Sequence, residues 1–148
     1  MTKLAELMTA INLIATDLEN QLDPALPTHE RELYARPPAI LPDHCPMLVV
    51  FTESFAWDLV ATPSHYFVRP DVRVGWFVAA AKESETADGF EELMLAQATI
   101  ADRIADRLTT YSEGLPGQVG TYAKIIETTT ERSDGPVFGF VHRMELER

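Results

Sequence analysis

The side chains that could carry chemistry are few and scattered. The histidines are His29, His44, His65 and His142, and no two stand four residues apart, the spacing that sets two imidazoles on one helical face for a metal. His142 falls on the apolar side of a strand pattern, where a hydrogen-bonded core or interface histidine is the expected role. His44 and Cys45 are adjacent, but neighbours in an extended segment point to opposite sides, so the spacing does not predict a thiol–imidazole pair. Cys45 is the one cysteine, which excludes an internal disulfide and a cysteine-based zinc cluster. There is no Gly-x-Ser-x-Gly elbow, no Walker lysine and no dinucleotide glycine fingerprint. Gly114, Gly117 and Gly120, with Pro116 among them, read as a flexible loop before a strand rather than a phosphate cradle opening a helix. Asp102 and Asp106 share a helical face with Arg103 and Arg107 interleaved, the pattern of a solvated charged surface. The expectation is a protein without catalytic residues, metal ligands or cofactor.

Charge narrows the partners. The 148 residues hold 23 acids against 12 lysines and arginines, a formal net charge of −11. A sequence-independent grip on nucleic acid needs a cationic footprint, and so does docking on an anionic membrane. No run approaches the roughly 20 apolar residues of a membrane span. The opening Met1-Thr2-Lys3-Leu4-Ala5-Glu6 carries an acid early and lacks the apolar core of a secretory signal, so the expected site of synthesis and residence is a cytoplasm. Hydrophobic residues at 46% and charged residues at 24% are a globular mixture. The length suits one domain, 1–148.

The elements that must position these residues follow from periodicity. Leu4, Leu7, Met8, Ile11, Ile14, Ala15 and Leu18 recur at three- and four-residue spacing, predicting an amphipathic helix over about 2–20, with Glu6, Asn12, Asp17 and Glu19 mainly off the stripe. Residues 21–46 hold six of the ten prolines, so neither helix nor central strand can run far there. This stretch reads as a proline-rich arm or loop, whose apolar anchors would be Leu33, Tyr34, Ile40 and Leu41.

The run Met47–Phe51 is continuous and apolar, as in a strand covered on both faces. Residues 52–62 alternate well enough for a second strand. Residues 65–68 and 72–80 read as two further strands joined around Pro70-Asp71. In the second of these, Val72, Val74, Trp76 and Val78 share one face and Arg73, Gly75 and Phe77 the other. After a polar loop, Asp88 stands as the cap of a second helix with Glu91 and Glu92 in its first turn. Its stripe runs Phe90, Leu93, Met94, Ala101, Ile104, Ala105, Leu108 and Tyr111, with Gln97 as an interruption expected at the rim. Residues 122–131 and 137–146 then form a hairpin about Asp134-Gly135, with Tyr122, Lys124, Ile126 and Thr128 expected on one side. The predicted fold class is α+β: a mainly antiparallel sheet packed by two main helices, with the arm and a C-terminal hairpin.

This order of elements resembles the tail terminator, or tail completion, proteins of long-tailed bacteriophages. The likeness rests on the opening helix, the arm that delivers Pro46-Met47-Leu48-Val49-Val50-Phe51, and the strand Val72-Arg73-Val74-Gly75-Trp76-Phe77-Val78 followed by an acidic loop and the long helix. It ends with Gly135-Pro136-Val137-Phe138-Gly139-Phe140-Val141 running into a terminal strand. The resemblance implies a non-enzymatic virion protein, assembled in the host bacterial cytoplasm and resident at the tail–neck junction. It would form a homo-oligomeric ring, commonly a hexamer, that caps the tail tube, stops its polymerisation and joins it to the head-neck connector. Its partners would be further copies of itself, the major tail tube protein and the connector protein, with DNA only as passing cargo and no membrane.

A ring needs a heterologous interface that closes by rotation. The candidates for it are Leu33, Tyr34, Ile40 and Leu41 of the arm and Phe138 and Phe140 of the hairpin. An acidic lumen would repel DNA, and Glu83, Glu85, Asp88, Glu91 and Glu92 are the candidates to face lumen or tube. Two readings of other classes stand beside this one. One is a small enzyme or ligand-binding domain with Trp57, His65 and Trp76 lining a pocket between sheet and helix. The other is an adaptor that takes a partner strand on a free sheet edge.

Overall fold

The computed structural model describes residues 3–22, 30–33, 45–59, 66–79, 87–118, 120–132 and 137–147. In chain order these form α1 (Lys3–Leu22), β1 (Glu30–Leu33), β2 (Met47–Leu59), β3 (Tyr66–Ala79), α2 (Ala87–Thr109), a 3₁₀ turn at Thr110–Glu113, β4 (Tyr122–Arg132) and β5 (Val137–Glu147). The fold is α+β. Its sheet has five strands in the order β1-β2-β3-β5-β4. The pairs β2–β3, β3–β5 and β5–β4 are antiparallel, and β1 lies parallel to β2.

The apolar stripe of α1 does what its spacing requires: Ala10, Ile11, Ile14, Ala15 and Leu18 are all fully buried. Ala101, Ile104 and Leu108 of α2 and Tyr111 of the 3₁₀ turn are buried with them, against Leu48, Val50, Val72, Val74, Trp76, Val78, Met144 and Leu146 of the sheet. Both helices therefore cover one face. The opposite face is also dry at its centre, where Met47, Val49, Phe51, Phe77, Val137 and Val141 form a second cluster with half-buried Cys45 at its margin. This is why Met47–Phe51 is apolar at every position rather than at alternate ones. The Phe77 ring lies across Gly75 and Gly139, and a Cβ at either glycine would run into it.

Several expectations change in the folded chain. The two short strands predicted between residues 65 and 80 are one, because Pro70 occupies a position within β3 opposite Phe55 of β2. Likewise β2 continues through to Leu59, with a register shift between Thr52 and Phe55. Among the described residues of the proline-rich stretch, Glu30–Leu33 form the short edge strand β1.

α2 begins at Ala87, so Asp88 stands inside the first turn rather than at the cap. On β4 an extra residue between Ile125 and Glu127 reverses the alternation. Tyr122 and Lys124 therefore share a face with Glu127, Thr129 and Glu131, while Thr128 turns to the helix side. The loop at Gly114–Gly120 is a tight turn in which all three glycines have positive φ, closed by the Leu115 N–H donating to the Thr121 carbonyl at 2.8 Å.

Phe138 is withdrawn as an interface candidate: it is 3% exposed and packs in the main core of its own chain. Leu33 is half-buried against that same core, and Phe140 is half-buried beside Trp76 in register. Tyr34, Ile40, Leu41, Glu83 and Glu85 lie outside the described residues.

The close approach at Gly139 generates the first prediction. A Cβ there would sit 2.3 Å from the Trp76 carbonyl oxygen and 2.7 Å from the Phe77 ring. Gly139→Ala should lower stability by about 1–3 kcal/mol, read as a reduced urea midpoint at unchanged m-value. An undiminished midpoint would show that the two strands can part without cost.

Candidate functional site

Three polar contacts cross the apolar interior, and each uses a side chain or carbonyl of α2. Nearest the start of the helix, Gln97 accepts the indole N–H of Trp76 at 2.7 Å. Half-buried Gln97 is the acceptor that lets a 1%-exposed tryptophan sit in the core. One turn on, the Ala101 carbonyl accepts from Nε2–H of His142 on β5 at 2.9 Å, while Nδ1 of that ring lies 2.8 Å from the Thr128 hydroxyl on β4. The carbonyl fixes the tautomer, so Nδ1 is the acceptor and Thr128 the donor. Burial holds His142 below the ordinary histidine range, against the opposing pull of the Ala101 carbonyl and the Asp102 charge. It is a neutral, structural imidazole.

The third contact joins the helices. Arg107 donates from Nε and Nη2 to the two carboxylate oxygens of Asp17 on α1, at 2.8 and 2.9 Å. The Tyr111 hydroxyl donates to the same Asp17 Oδ2. The guanidinium also lies 5.9 Å from the centre of the Tyr111 ring. Burial by itself pushes the Asp17 carboxyl up, but the hydrogen bonds from Arg107 and Tyr111, with the Arg107 charge, outweigh it and leave Asp17 below its usual range. The Tyr111 phenol is driven far above its usual range, first by burial and then by the bond to Asp17. A carboxylate already accepting three bonds, and a phenol that holds its proton, form a clamp rather than an acid–base pair.

Sequence reasoning placed Asp17 off the stripe and Arg107 on a solvated surface, and both placements are corrected. Asp17 follows Ala10 by seven residues and Ile14 by three, so it stands at the stripe's edge. Arg107 precedes Tyr111 by four and shares its face. Those spacings were the available signal. Among the described residues, no group of three or more His, Cys, Asp or Glu side chains could hold a metal ion. Trp76 fills the core instead of lining a pocket. His65 lies outside the described residues, and nothing is described of the side chain of Trp57.

Glu91 and Glu92 are exposed on the first half of α2. Leu95, one turn further, is 74% exposed. On the open side of β3, β5 and β4, Arg73 pairs with Glu131 at 3.4 Å and Arg143 with Glu127 at 3.7 Å. No helix among the described residues is long and apolar enough to cross a membrane. The chain matches no protein-family model, and no curated protein is significantly similar to it.

Two predictions follow from the buried contacts. Arg107→Ala leaves the 8%-exposed Asp17 carboxylate without its charge partner and should cost about 1–3 kcal/mol, with Asp17→Asn partly relieving that loss in the double variant. Purely additive losses would mean that the two groups do not interact.

The second prediction concerns pH. His142 is held low in the folded chain, so the unfolded chain binds the extra proton first. Stability is complete above the ordinary histidine value of 6.5 and declines as pH falls below it. Asp17 adds a further decline below the ordinary aspartate value of 3.8. His142→Gln should flatten the first decline in a series of urea unfolding curves from pH 7.5 to pH 5, and an unchanged slope would remove His142 as its cause.

Proposed function

We propose that this chain is a structural virion protein of the tail terminator kind, a ring-forming cap on the tail tube of a long-tailed phage. The observation that carries the reading is the order of elements: helix, proline-rich segment, long strands, long helix and terminal hairpin on one α+β sheet. The disposition of polar groups is compatible with it. The buried His142, Asp17 and Tyr111 and the half-buried Arg107 are hydrogen-bonded to one another, to Thr128 or to backbone, so each of them has a structural role inside its own chain.

A ring subunit works through its surface. It must present one patch that fits a different patch of the next copy, and the rotation between them must close. The first half of α2 is the described surface that best suits such a contact. Leu95 supplies an apolar anchor there, and the acids Glu91 and Glu92 beside it would set orientation and exclude wrong partners. On this reading the acids left facing the ring's hole keep passing DNA at a distance by repulsion. The other partners of the ring are the tube subunit on one side and the neck connector on the other, with no membrane.

Native mass by light scattering, with particle images, tests the proposal. About six copies around a central hole are expected, either free or after addition of tail tubes. Tubes that keep growing in the presence of the protein would overturn the reading. Leu95→Asp should abolish ring formation while leaving the thermal midpoint within about 2 °C, since an exposed position contributes little to the monomer's stability. A ring that forms unchanged would exclude this face of α2 from the contact.

A further inference from the structure

β4 is the last strand on its side of the sheet, and no described strand pairs with its outer edge. It runs 11 residues without a proline. It also carries two of the three exposed large apolar side chains among the described residues, Tyr122 at 43% and Ile126 at 48%. An edge of this length offers a row of backbone donors and acceptors to another strand. We infer that the strand it takes is β4 of a second copy, antiparallel about a two-fold axis passing between Ile125 and Ile126.

Register decides the partner. A two-fold strand contact must keep like faces together, and the extra residue in β4 limits the ways to do so. Laying the first half of the strand on itself sets Lys124 against Lys124. Laying the second half on itself sets Glu127 against Glu131. Both place like charges directly across the ladder, which is destabilising, and centring on Thr128 instead opposes Ile125 to Glu131, which point to different faces. Bringing Lys124 opposite Glu131 would oppose Glu127 to Thr128, whose side chains point to different faces. Centring between Ile126 and Glu127 keeps the faces matched but gives Lys124 only Thr129.

Centring between Ile125 and Ile126 keeps the faces matched on both sides of the axis. It sets Lys124 opposite Glu127 twice, and Tyr122 opposite Thr129 twice. The existing register continues the pattern outward, since Lys124 already faces Glu145 and Glu127 already faces Arg143. The row Glu145, Lys124, Glu127 of the second copy and Arg143 of the second copy then alternates in sign across four strands. The product is one continuous sheet of two chains, with the apolar side chains of Ile125 and Ile126 meeting at its centre.

The pairing is independent of the ring reading, because a two-fold contact closes on itself and a ring contact does not. Sedimentation of the wild-type chain at a concentration on the order of 100 µM should give a dimer. Lys124→Glu and Glu127→Lys should each weaken it about tenfold, since each turns two attractive pairs into repulsive ones. The Lys124→Glu/Glu127→Lys double variant should restore it.

A second measurement fixes the register. With Cys45→Ser as background, Tyr122→Cys together with Thr129→Cys should cross-link two chains on mild oxidation, and Tyr122→Cys together with Glu131→Cys should not. A monomeric wild type, a dimer indifferent to the charge reversals, or a cross-link only in the second pair would each overturn the inference. A six-membered ring unaffected by the charge exchange, with no dimer beneath it, would overturn β4 pairing and leave the ring reading standing. A dimer that responds to the exchange would support the pairing whether or not rings form.

Discussion

The position of α2 depends on three directional contacts made through its buried face. Gln97 reaches β3 through the Trp76 indole, the Ala101 carbonyl reaches β5 through His142, and Arg107 reaches α1 through Asp17. Apolar contact alone would let a helix slide or rotate on a sheet, since hydrophobic burial has no direction. A hydrogen bond lost inside the core leaves a bare polar group, at about 1–3 kcal/mol each. Any register of α2 other than the observed one breaks several of these bonds at once. The contacts therefore select one packing from many of similar area.

The sheet beneath imposes the complementary restriction. Its central strands are buried on both faces, so Met47 to Phe51 and Val74 to Val78 have little freedom to be polar. Phe77 fits on the second face because Gly75 and Gly139 provide a floor without Cβ atoms. The charged groups of that face lie beside this patch, where Arg73 of β3 pairs with Glu131 of β4 and Arg143 of β5 with Glu127 of β4. Two features of the described surface stand outside this packing: the exposed Leu95 on the first half of α2 and the outer edge of β4, with which no described strand pairs.

Much of this was legible in residue spacing. The α1 stripe and the β5 alternation through Phe138, Met144 and Leu146 appear in the fold as their periods require. The polar contacts were less legible, for a physical reason. Asp17, Gln97 and Arg107 each look like ordinary surface residues on their own helix, because a periodicity argument weighs every side chain against water. Their partners come from elements 21 and 90 residues away in sequence, and only those partners make burial tolerable. The bulge in β4 was hidden similarly. One inserted residue changes no composition and breaks no local preference, yet it turns Thr128 toward His142 and Glu127 toward Arg143.

The amino-acid order by itself determined the two helices, the α+β class and the faces of β3 and β5, because local periodicity is a property of the chain alone. It also determined the strongly acidic balance, which no folding alters. Tertiary structure decided which polar residues are buried, which face of β4 carries its charges and which hydrophobic residues remain outside. Those outcomes depend on what lies opposite each side chain. Phe138 and Leu95 are both large, apolar and set in regular elements, yet one is 3% exposed in the core and the other 74% exposed on a helix. Nothing local to either residue separates them; the sheet and helices packed around Phe138, and the lack of such cover at Leu95, do.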